Sequence, residues 1–250
     1  MSLNKIGDIR FAGGDRAGAL KVYEESLEIR RRLAAGDDHG ASGSELDDSA
    51  GDVPARDVPE RDVLVSLSKV GDVRLAGGDR AGALKAYEES LEIARWLAAG
   101  DPGHAGLARD VSVALDRIGD VRAAGGDRDG ALKAYEESLA VRRRLAAGDP
   151  GNARWARDLS VSLDRVGDGR SAAGDRAGAR AAYTQSLEIR KRLAADDPGN
   201  ADLARDRIVS NVKLAHLATT ASMALPYYAT ALAIAEDLAR SGRLAPPTPG

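Results

Sequence analysis

Aspartates recur at regular intervals along the chain, and they are the residues whose type and spacing best suit chemistry. One follows each copy of a repeated glycine, at Asp8, Asp72, Asp120 and Asp168. Four residues before each of these aspartates stands a second polar residue: Asn4, Ser68, Asp116 or Asp164. Residues four apart lie on one face of a helix, so both members of a pair would point the same way. Paired carboxylates can act as general acid and base, bind a basic segment, or join an internal network.

The regularity of this aspartate ladder argues against catalysis. A catalytic acid and base need different surroundings, whereas a repeat gives every pair the same surroundings. Two alternatives remain open, and they can coexist. The carboxylates either form a binding stripe for a basic or amide-rich segment, or they bridge neighbouring repeats. The cations available for bridging precede the repeated glycines, at Lys5, Lys69, Arg117 and Arg165.

No other motif predicts a catalytic, metal, cofactor or nucleic-acid site. The chain has no cysteine, and its histidines, His39, His104 and His216, are isolated, which excludes the usual zinc and thiol motifs. His216 stands where the ladder would place an aspartate. The Gly-Gly-Asp-Arg turn at 13–16 lacks the Gly-Lys-Ser/Thr of a phosphate loop. Basic clusters at 30–32, 142–144 and 190–192 end predicted helices, where cations complement the helix dipole.

Composition narrows the class of protein further. The 250 residues include 36 Lys plus Arg against 39 Asp plus Glu, and this balance disfavours general binding to nucleic acids or anionic membranes. No run approaches the ~18–20 apolar residues that cross a bilayer. The first residues lack a basic and apolar signal region. We expect a folded cytoplasmic protein.

Internal repetition determines the predicted architecture. The repeated glycines at Gly7, Gly71, Gly119 and Gly167 are separated by 64, 48 and 48 residues, so the period is 48 with 16 extra residues in the first interval. Within residues 107–121, apolar residues spaced three and four apart predict an amphipathic helix. Gly125-Gly126 ends it, Asp127 caps a second helix, and Pro150 follows that helix. Each repeat therefore predicts two helices, and the fold class is all-α.

These residues resemble the tetratricopeptide repeat. In the third repeat, the family's large residue, Leu-Gly pair and small–aromatic–small triplet match Leu115, Ile118-Gly119, and Ala131, Tyr135 and Ser138. The second repeat matches with Leu67, Val70-Gly71, Ala83, Tyr87 and Ser90, and the fourth with Leu163, Val166-Gly167, Ala179, Tyr183 and Ser186. The glycine lets the partner helix approach, and the tyrosine fills the remaining groove. The usual terminal proline is replaced by a basic residue, so the second helix is longer, as in kinesin light chains and bacterial repeat arrays.

The resemblance implies an α-solenoid, a right-handed superhelix of about five helix-turn-helix repeats. We predict one domain, 1–241, with repeats near 1–35, 60–100, 105–148, 153–196 and 201–241. Residues 36–59 are predicted to be a flexible acidic insertion, because acidic, Gly- and Ser-rich segments bury little apolar surface. Residues 242–250 are predicted to be a disordered tail.

The last predicted repeat is unusually apolar. Between Leu214 and Ala235 the only charge-capable side chain is His216. A terminal repeat usually has a polar outer face. Met223, Tyr227, Tyr228 and Leu232 therefore either pack on the preceding repeat or form an association surface for another chain.

The resemblance further implies that first helices line a concave groove. The predicted groove residues are Asp72, Asp116, Asp120, Asp164, Asp168, Arg117 and Arg165. The predicted function is that of a non-catalytic scaffold that binds a peptide or helix of a partner protein, with a basic segment favoured by the carboxylates. The alternative is a self-assembly module that forms homo-oligomers through the ends of the solenoid.

Overall fold

The computed structural model describes residues 2–34 and 59–243, and within these ranges the chain consists of ten α-helices without a β-strand. The helices are α1 Leu3–Ala12, α2 Arg16–Ala34, α3 Pro59–Ala76, α4 Arg80–Gly100, α5 Ala105–Ala124, α6 Arg128–Gly148, α7 Ala153–Ala172, α8 Arg176–Asp196, α9 Ala201–His216 and α10 Ala221–Arg240. The all-α prediction and the predicted helix pairs are confirmed. The predicted insertion, apart from Pro59, and the tail from residue 244 lie outside the described residues.

The chain divides into two compact units, Met1–Gly126 and Asp127–Gly250. The first contains α1 to α5 and the second α6 to α10. The boundary falls between the two helices of the repeat predicted at 105–148. The single-domain organisation therefore remains a prediction, and each unit is described by itself.

Short turns join the helices of a pair, and their sequence explains where each helix starts. The second turn glycine has a positive φ at Gly14, Gly78, Gly126 and Gly174, the conformation that glycine adopts most readily. The aspartate that follows caps the next helix. In α4, for example, the Asp79 carboxylate accepts a hydrogen bond from the Gly82 amide at 2.8 Å.

First helices are capped from the preceding loop. Asn152 and Asn200 accept hydrogen bonds from amides in the first turns of α7 and α9. His104 occupies the equivalent position before α5, where its Nδ1 accepts from the Leu107 amide at 3.1 Å. Sequence analysis excluded His104 from a metal site but did not predict a cap, although its spacing of 48 residues from Asn152 was the available signal.

The core of each unit forms where a second helix meets the first helix of the next pair. In the first unit, Tyr23 and Leu27 of α2 share a buried cluster with Leu67 and Val70 of α3. In the second unit, Tyr135 and Leu139 of α6 pack with Leu163 and Val166 of α7. Complete burial of each such side chain contributes roughly 1.5–3 kcal/mol. Burial of these residues is therefore the main force that stacks one helix pair on the next.

The end of α10 is held by residues from the predicted tail. The backbone carbonyl of Arg243 accepts a hydrogen bond from Arg205 at 2.6 Å, and the Arg243 guanidinium donates to the Gly199 carbonyl at 3.0 Å. Gly242 has a positive φ. Residues 242 and 243 thus belong to the helix end.

Replacement of Gly71 by alanine tests the close contact of the paired helices. A Cβ at Gly71 would overlap the ring of Tyr87, which is buried and cannot move aside. We expect Gly71→Ala to lower the free energy of unfolding by ~1–3 kcal/mol, measured by urea denaturation. Gly100→Ala is the matched control, because a Cβ there meets nothing within 4 Å and should leave stability unchanged or slightly raised. Equal stability of the two variants would show that the ring does not pack tightly on the glycine.

Candidate functional site

The aspartate after each repeated glycine is part of a three-residue arrangement, which we call the clasp. In the first clasp the Tyr23 hydroxyl donates a hydrogen bond to Asp8 Oδ1 at 2.6 Å. Lys69, from the first helix of the next pair, donates to the same oxygen at 2.6 Å. The Lys69 ammonium also lies 5.7 Å from the centroid of the Tyr23 ring. The clasp thus joins two residues of one helix pair to a cation of the next.

The same arrangement recurs in both units. Asp72 accepts a hydrogen bond from Tyr87 at 2.7 Å and one from Arg117 at 2.7 Å, and this guanidinium lies 5.4 Å from the Tyr87 ring centroid. In the second unit, Asp168 accepts from Tyr183 at 2.6 Å and from Lys213 at 2.7 Å. The bridging alternative is therefore realised at Asp8, Asp72 and Asp168.

The clasp carboxylates also remain accessible to solvent. The side chains of Asp8, Asp72 and Asp168 are 48%, 40% and 52% exposed. Ion pairs in such surroundings contribute at most ~1 kcal/mol each, because solvent screens them. The clasp consequently orients side chains more than it stabilises the fold.

The clasp changes the ionisation of its members. Hydrogen bonds from Lys69 and Tyr23 lower the pKa of Asp8. Burial, and then the hydrogen bond to the partner aspartate, raises the pKa of Tyr23, Tyr87 and Tyr183 well above the usual range. Because the neutral phenol is favoured in the fold, this stabilisation is complete below the unfolded pKa near ~10 and is lost as the pH rises above it.

Alkaline titration tests this conclusion. We expect phenolate absorbance from Tyr23, Tyr87 and Tyr183 to appear only when the protein unfolds, as followed by ultraviolet absorbance and circular dichroism together. Tyr183→Phe should lower stability at neutral pH by about 1 kcal/mol through loss of one hydrogen bond, and should make the alkaline loss of stability less steep. Ionisation of every tyrosine well before unfolding would contradict the buried clasp.

A second polar contact is buried beneath the clasp in the second unit. Arg190 of α8 forms an ion pair with Asp164 of α7 at 2.8 Å, and both side chains are less than a tenth exposed. The same guanidinium donates to the Asp206 carbonyl at 2.9 Å and the Ser210 hydroxyl at 2.7 Å in α9. Burial raises the pKa of Asp164 even though Arg190 lies beside it. The pair thus carries a desolvation cost that its mutual attraction must offset.

The sequence analysis placed the clusters at 142–144 and 190–192 at helix ends and did not identify a buried arginine in either of them. Arg142 and Arg190 are 5% and 4% exposed. Arg142 donates to the Asp158 carbonyl at 3.1 Å and the Ser162 hydroxyl at 2.9 Å. The sequence does contain a sign of this pairing. The second repeat has Ser68 and Ala94 where the fourth has Asp164 and Arg190, so both members of the pair change together.

This joint change supplies a double-variant test. Arg190→Ala leaves the Asp164 carboxylate buried without its cation, so we expect a loss of ~3–5 kcal/mol in the free energy of unfolding. The double variant Asp164→Ser with Arg190→Ala copies the second repeat and should recover a substantial part of that loss. Urea denaturation of both variants gives the comparison. A double variant less stable than Arg190→Ala alone would contradict the paired role.

The predicted groove residues thus have different environments. Asp72, Asp168 and Arg117 belong to clasps and are partly exposed, whereas Asp116 and Asp164 are buried. Asp120 and Arg165 are partly exposed and lie in different units. Arg165 lies 5.7 Å from the centroid of the Tyr135 ring, as a clasp cation does.

The predicted association residues lie on α10. Met223, Tyr228 and Leu232 are exposed, whereas Tyr227 packs against the buried cluster that contains Tyr183 and Leu214. Only Ala231 and Leu238 of this helix are buried. The apolar character of the last repeat therefore leaves apolar side chains at the surface.

Two clefts lie between successive second helices, one in each unit. One of about 420 Å³ in the first unit has a floor of Leu27, Leu67 and Val70. An equivalent cleft of about 190 Å³ in the second unit has a floor of Leu139, Leu163 and Val166. At the rim of the larger cleft, Arg31 is paired with Glu89 and Arg74 with Glu24.

Residues 2–34 and 59–243 contain no cluster of three or more histidine, cysteine or acidic side chains arranged to hold a metal ion. Among the helices of these ranges, none is long and apolar enough to cross a membrane.

Comparisons with known proteins agree with the geometry. A family model described as "Tetratricopeptide repeat" matches residues 1–40. No curated protein sequence matches the chain.

Similar solved structures include a putative kinesin light chain from Podosopora anserina with nearly identical TPR-like repeats. It has a TM-score of 0.64 and 14% identity over 96% of each chain. The apo form of RapI has a TM-score of 0.60 and 12% identity over 95% of this chain and 70% of RapI. MamA has a TM-score of 0.50 and 16% identity over 94% of this chain and 97% of MamA. At these identities the likeness concerns the fold. Together with the family match over residues 1–40 and the recurring Gly–Tyr helix pairs, it supports a fold of tetratricopeptide-like helical repeats.

Proposed function

We propose that this protein is a non-catalytic scaffold that binds a peptide or helix of a partner protein along its first helices. One observation carries the proposal. The clasp carboxylates are fixed in position by tyrosine and by lysine or arginine, yet about half of each side chain remains exposed. A rigid, accessible acceptor repeated along a helix stack is suited to bind a chain that also has regularly spaced groups.

The chemistry of the exposed acceptors indicates the class of partner. Carboxylates bind lysine, arginine and amide donors, so a basic or amide-rich segment is favoured. We assign contact to Asp72, Asp120 and Asp168, with Arg117 and Arg165 setting the register. Asp116 and Asp164 are buried and are left out of the proposed contact. We place the protein in the cytoplasm of a bacterial cell.

A selection experiment tests the partner class. The full chain is immobilised and used to select from a random peptide display library at low and at high salt. We expect enrichment of lysine- and arginine-rich peptides, with binding that weakens at high salt because exposed charges are screened. Enrichment of acidic peptides, or of none, would contradict the proposal.

Two matched double variants separate binding from stability. Asp72→Ala with Asp168→Ala removes the acceptors, and we expect the selected peptides to bind at least about tenfold more weakly, as loss of charge-assisted hydrogen bonds predicts. Tyr87→Phe with Tyr183→Phe weakens the same two clasps but keeps the carboxylates, so peptide affinity should fall much less than in the aspartate variant. Fluorescence anisotropy gives affinities, and thermal denaturation confirms that both variants are folded. Equal loss of binding in both would assign the aspartates a structural role alone.

Self-association through the last helix is a second candidate function. It is favoured by the exposure of Met223, Tyr228 and Leu232 on α10. Surface patches of this kind commonly mark interaction sites. Light scattering after size exclusion over a wide concentration range tests it. A mass that rises with concentration is expected, whereas a constant mass equal to the 26.1 kDa chain would exclude self-association.

A further inference from the structure

The exposed apolar residues of α10 occupy the positions that form the contact between repeats elsewhere in the chain. In the second unit, Tyr183 and Leu187 of α8 pack against Leu214 and Leu217 at the end of the next first helix. The equivalent residues of α2, Tyr23 and Leu27, pack on α3 in the first unit. Tyr and Leu spaced by four residues on a second helix are therefore the surface on which the next first helix stacks.

Counting from the helix caps locates this surface in α10. Tyr183 lies eight residues after the cap Asp175, and Tyr228 lies eight residues after the cap Thr220. Tyr183 and Leu187 are each 4% exposed, whereas Tyr228 and Leu232 are 41% and 60% exposed. Leu225 continues the same side of the helix and is 63% exposed. We call Leu225, Tyr228 and Leu232 the open stacking face.

Helix α1 carries the complementary pattern. In the repeat alignment, Ile6 and Ile9 are equivalent to Leu214 and Leu217, the residues that cover Tyr183 and Leu187. Leu217 is 4% exposed, but Ile9 is 60% exposed and Ile6 is only partly buried. The chain therefore exposes both halves of its own repeat contact, one on α10 and one on α1.

We propose that α1 of a second copy of this chain docks on the open stacking face, so that the repeat contact continues from one molecule to the next. This inference rests on the proposed self-association and specifies its register. Because the two surfaces differ, the contact is heterologous, and addition continues beyond a dimer, so the mass increases with concentration past that of two chains. A symmetric pairing of two open stacking faces would instead stop at a dimer.

Electrostatics at this contact differ from those at the internal ones. His216 replaces the clasp aspartate and stands next to Tyr228, with ring centroids 6.2 Å apart. Lys5 of the second copy is equivalent to Lys69 and Lys213, so it would approach Tyr228 and His216 and find no carboxylate. The contact between molecules therefore keeps the apolar part of a repeat junction but lacks its ion pair. It is expected to be weaker than the internal junctions and reversible.

Restoring the missing carboxylate gives the most direct test. His216→Asp supplies the acceptor that Tyr183 and Lys213 have at Asp168, so we expect self-association to tighten by ~2–5-fold, as a partly exposed ion pair predicts. His216→Asn is the matched control without charge and should give a smaller effect. Lys5→Ala in the His216→Asp background should remove the gain. Sedimentation velocity measures the association of each variant, and urea denaturation monitors its folding.

Cysteine cross-linking tests the register, because the natural chain has no cysteine. Ile9→Cys and Leu232→Cys both replace exposed residues. We expect a disulfide-linked dimer when the two variants are mixed under mild oxidation, and little when either is oxidised alone. Thr230→Cys, exposed on the opposite side of α10, is the control and should not cross-link to Ile9→Cys.

The outcomes separate this inference from the broader proposal. Failure of the natural chain to self-associate at any concentration would overturn both. Self-association with a disulfide between two Leu232→Cys chains would support association through α10 but overturn the head-to-tail register. Tightening by His216→Asp that persists after Lys5→Ala would also overturn the register, because the gain would then not involve Lys5.

Discussion

Contact between a bare glycine backbone and a tyrosine ring determines the geometry of each helix pair. At Gly7, Gly71 and Gly167 no side-chain atom fits between the helix and the ring of Tyr23, Tyr87 or Tyr183. This close approach places the tyrosine hydroxyl beside the aspartate that follows the glycine, and it leaves the ring where the next helix pair supplies a cation. The polar surface of the first helices therefore depends on an apolar packing constraint.

This dependence explains how the same residues can stabilise the stack and still be available to a partner. The tyrosine is buried through its ring, whereas the aspartate reaches the surface with its carboxylate. A carboxylate that is already oriented loses little conformational freedom when it binds. The structural role of the ladder thus prepares the surface that we propose for binding.

Much of the fold could be predicted because the same pattern of helix, turn glycine and capping residue recurs in several repeats. The helix pairs, their turn glycines and the aspartate caps followed from a period of 48 residues and from local rules. The ladder was correctly found, but a single sequence could not divide it into half-exposed clasps and buried residues. Whether a ladder residue is half-exposed or buried depends on how its helix is rotated relative to the helices packed against it. Arg190 shows the difficulty, since a basic run at a helix end predicts solvent exposure, while the fold buries this one side chain against Asp164.

The last repeat differs from the others in one helix and in its cap. Helix α9 has 16 residues where α7 has 20, and the residue that caps α10 is Thr220 instead of aspartate. The tyrosine position is retained at Tyr228, but the clasp aspartate has become His216. Helix α10 therefore keeps the apolar residues of a contact between repeats but lacks the clasp aspartate that accompanies them elsewhere.

The buried ion pair has a consequence for how the chain finds its native order of repeats. Nearly identical helix pairs can in principle dock in the wrong sequence, or exchange between two molecules, because each contact surface fits several others. Arg190 limits such exchange. Beside a helix such as α3, which has Ser68 at the position of Asp164, the guanidinium would be buried without a carboxylate. The buried charged pair thereby distinguishes a neighbouring helix that carries aspartate at this position from one that carries serine.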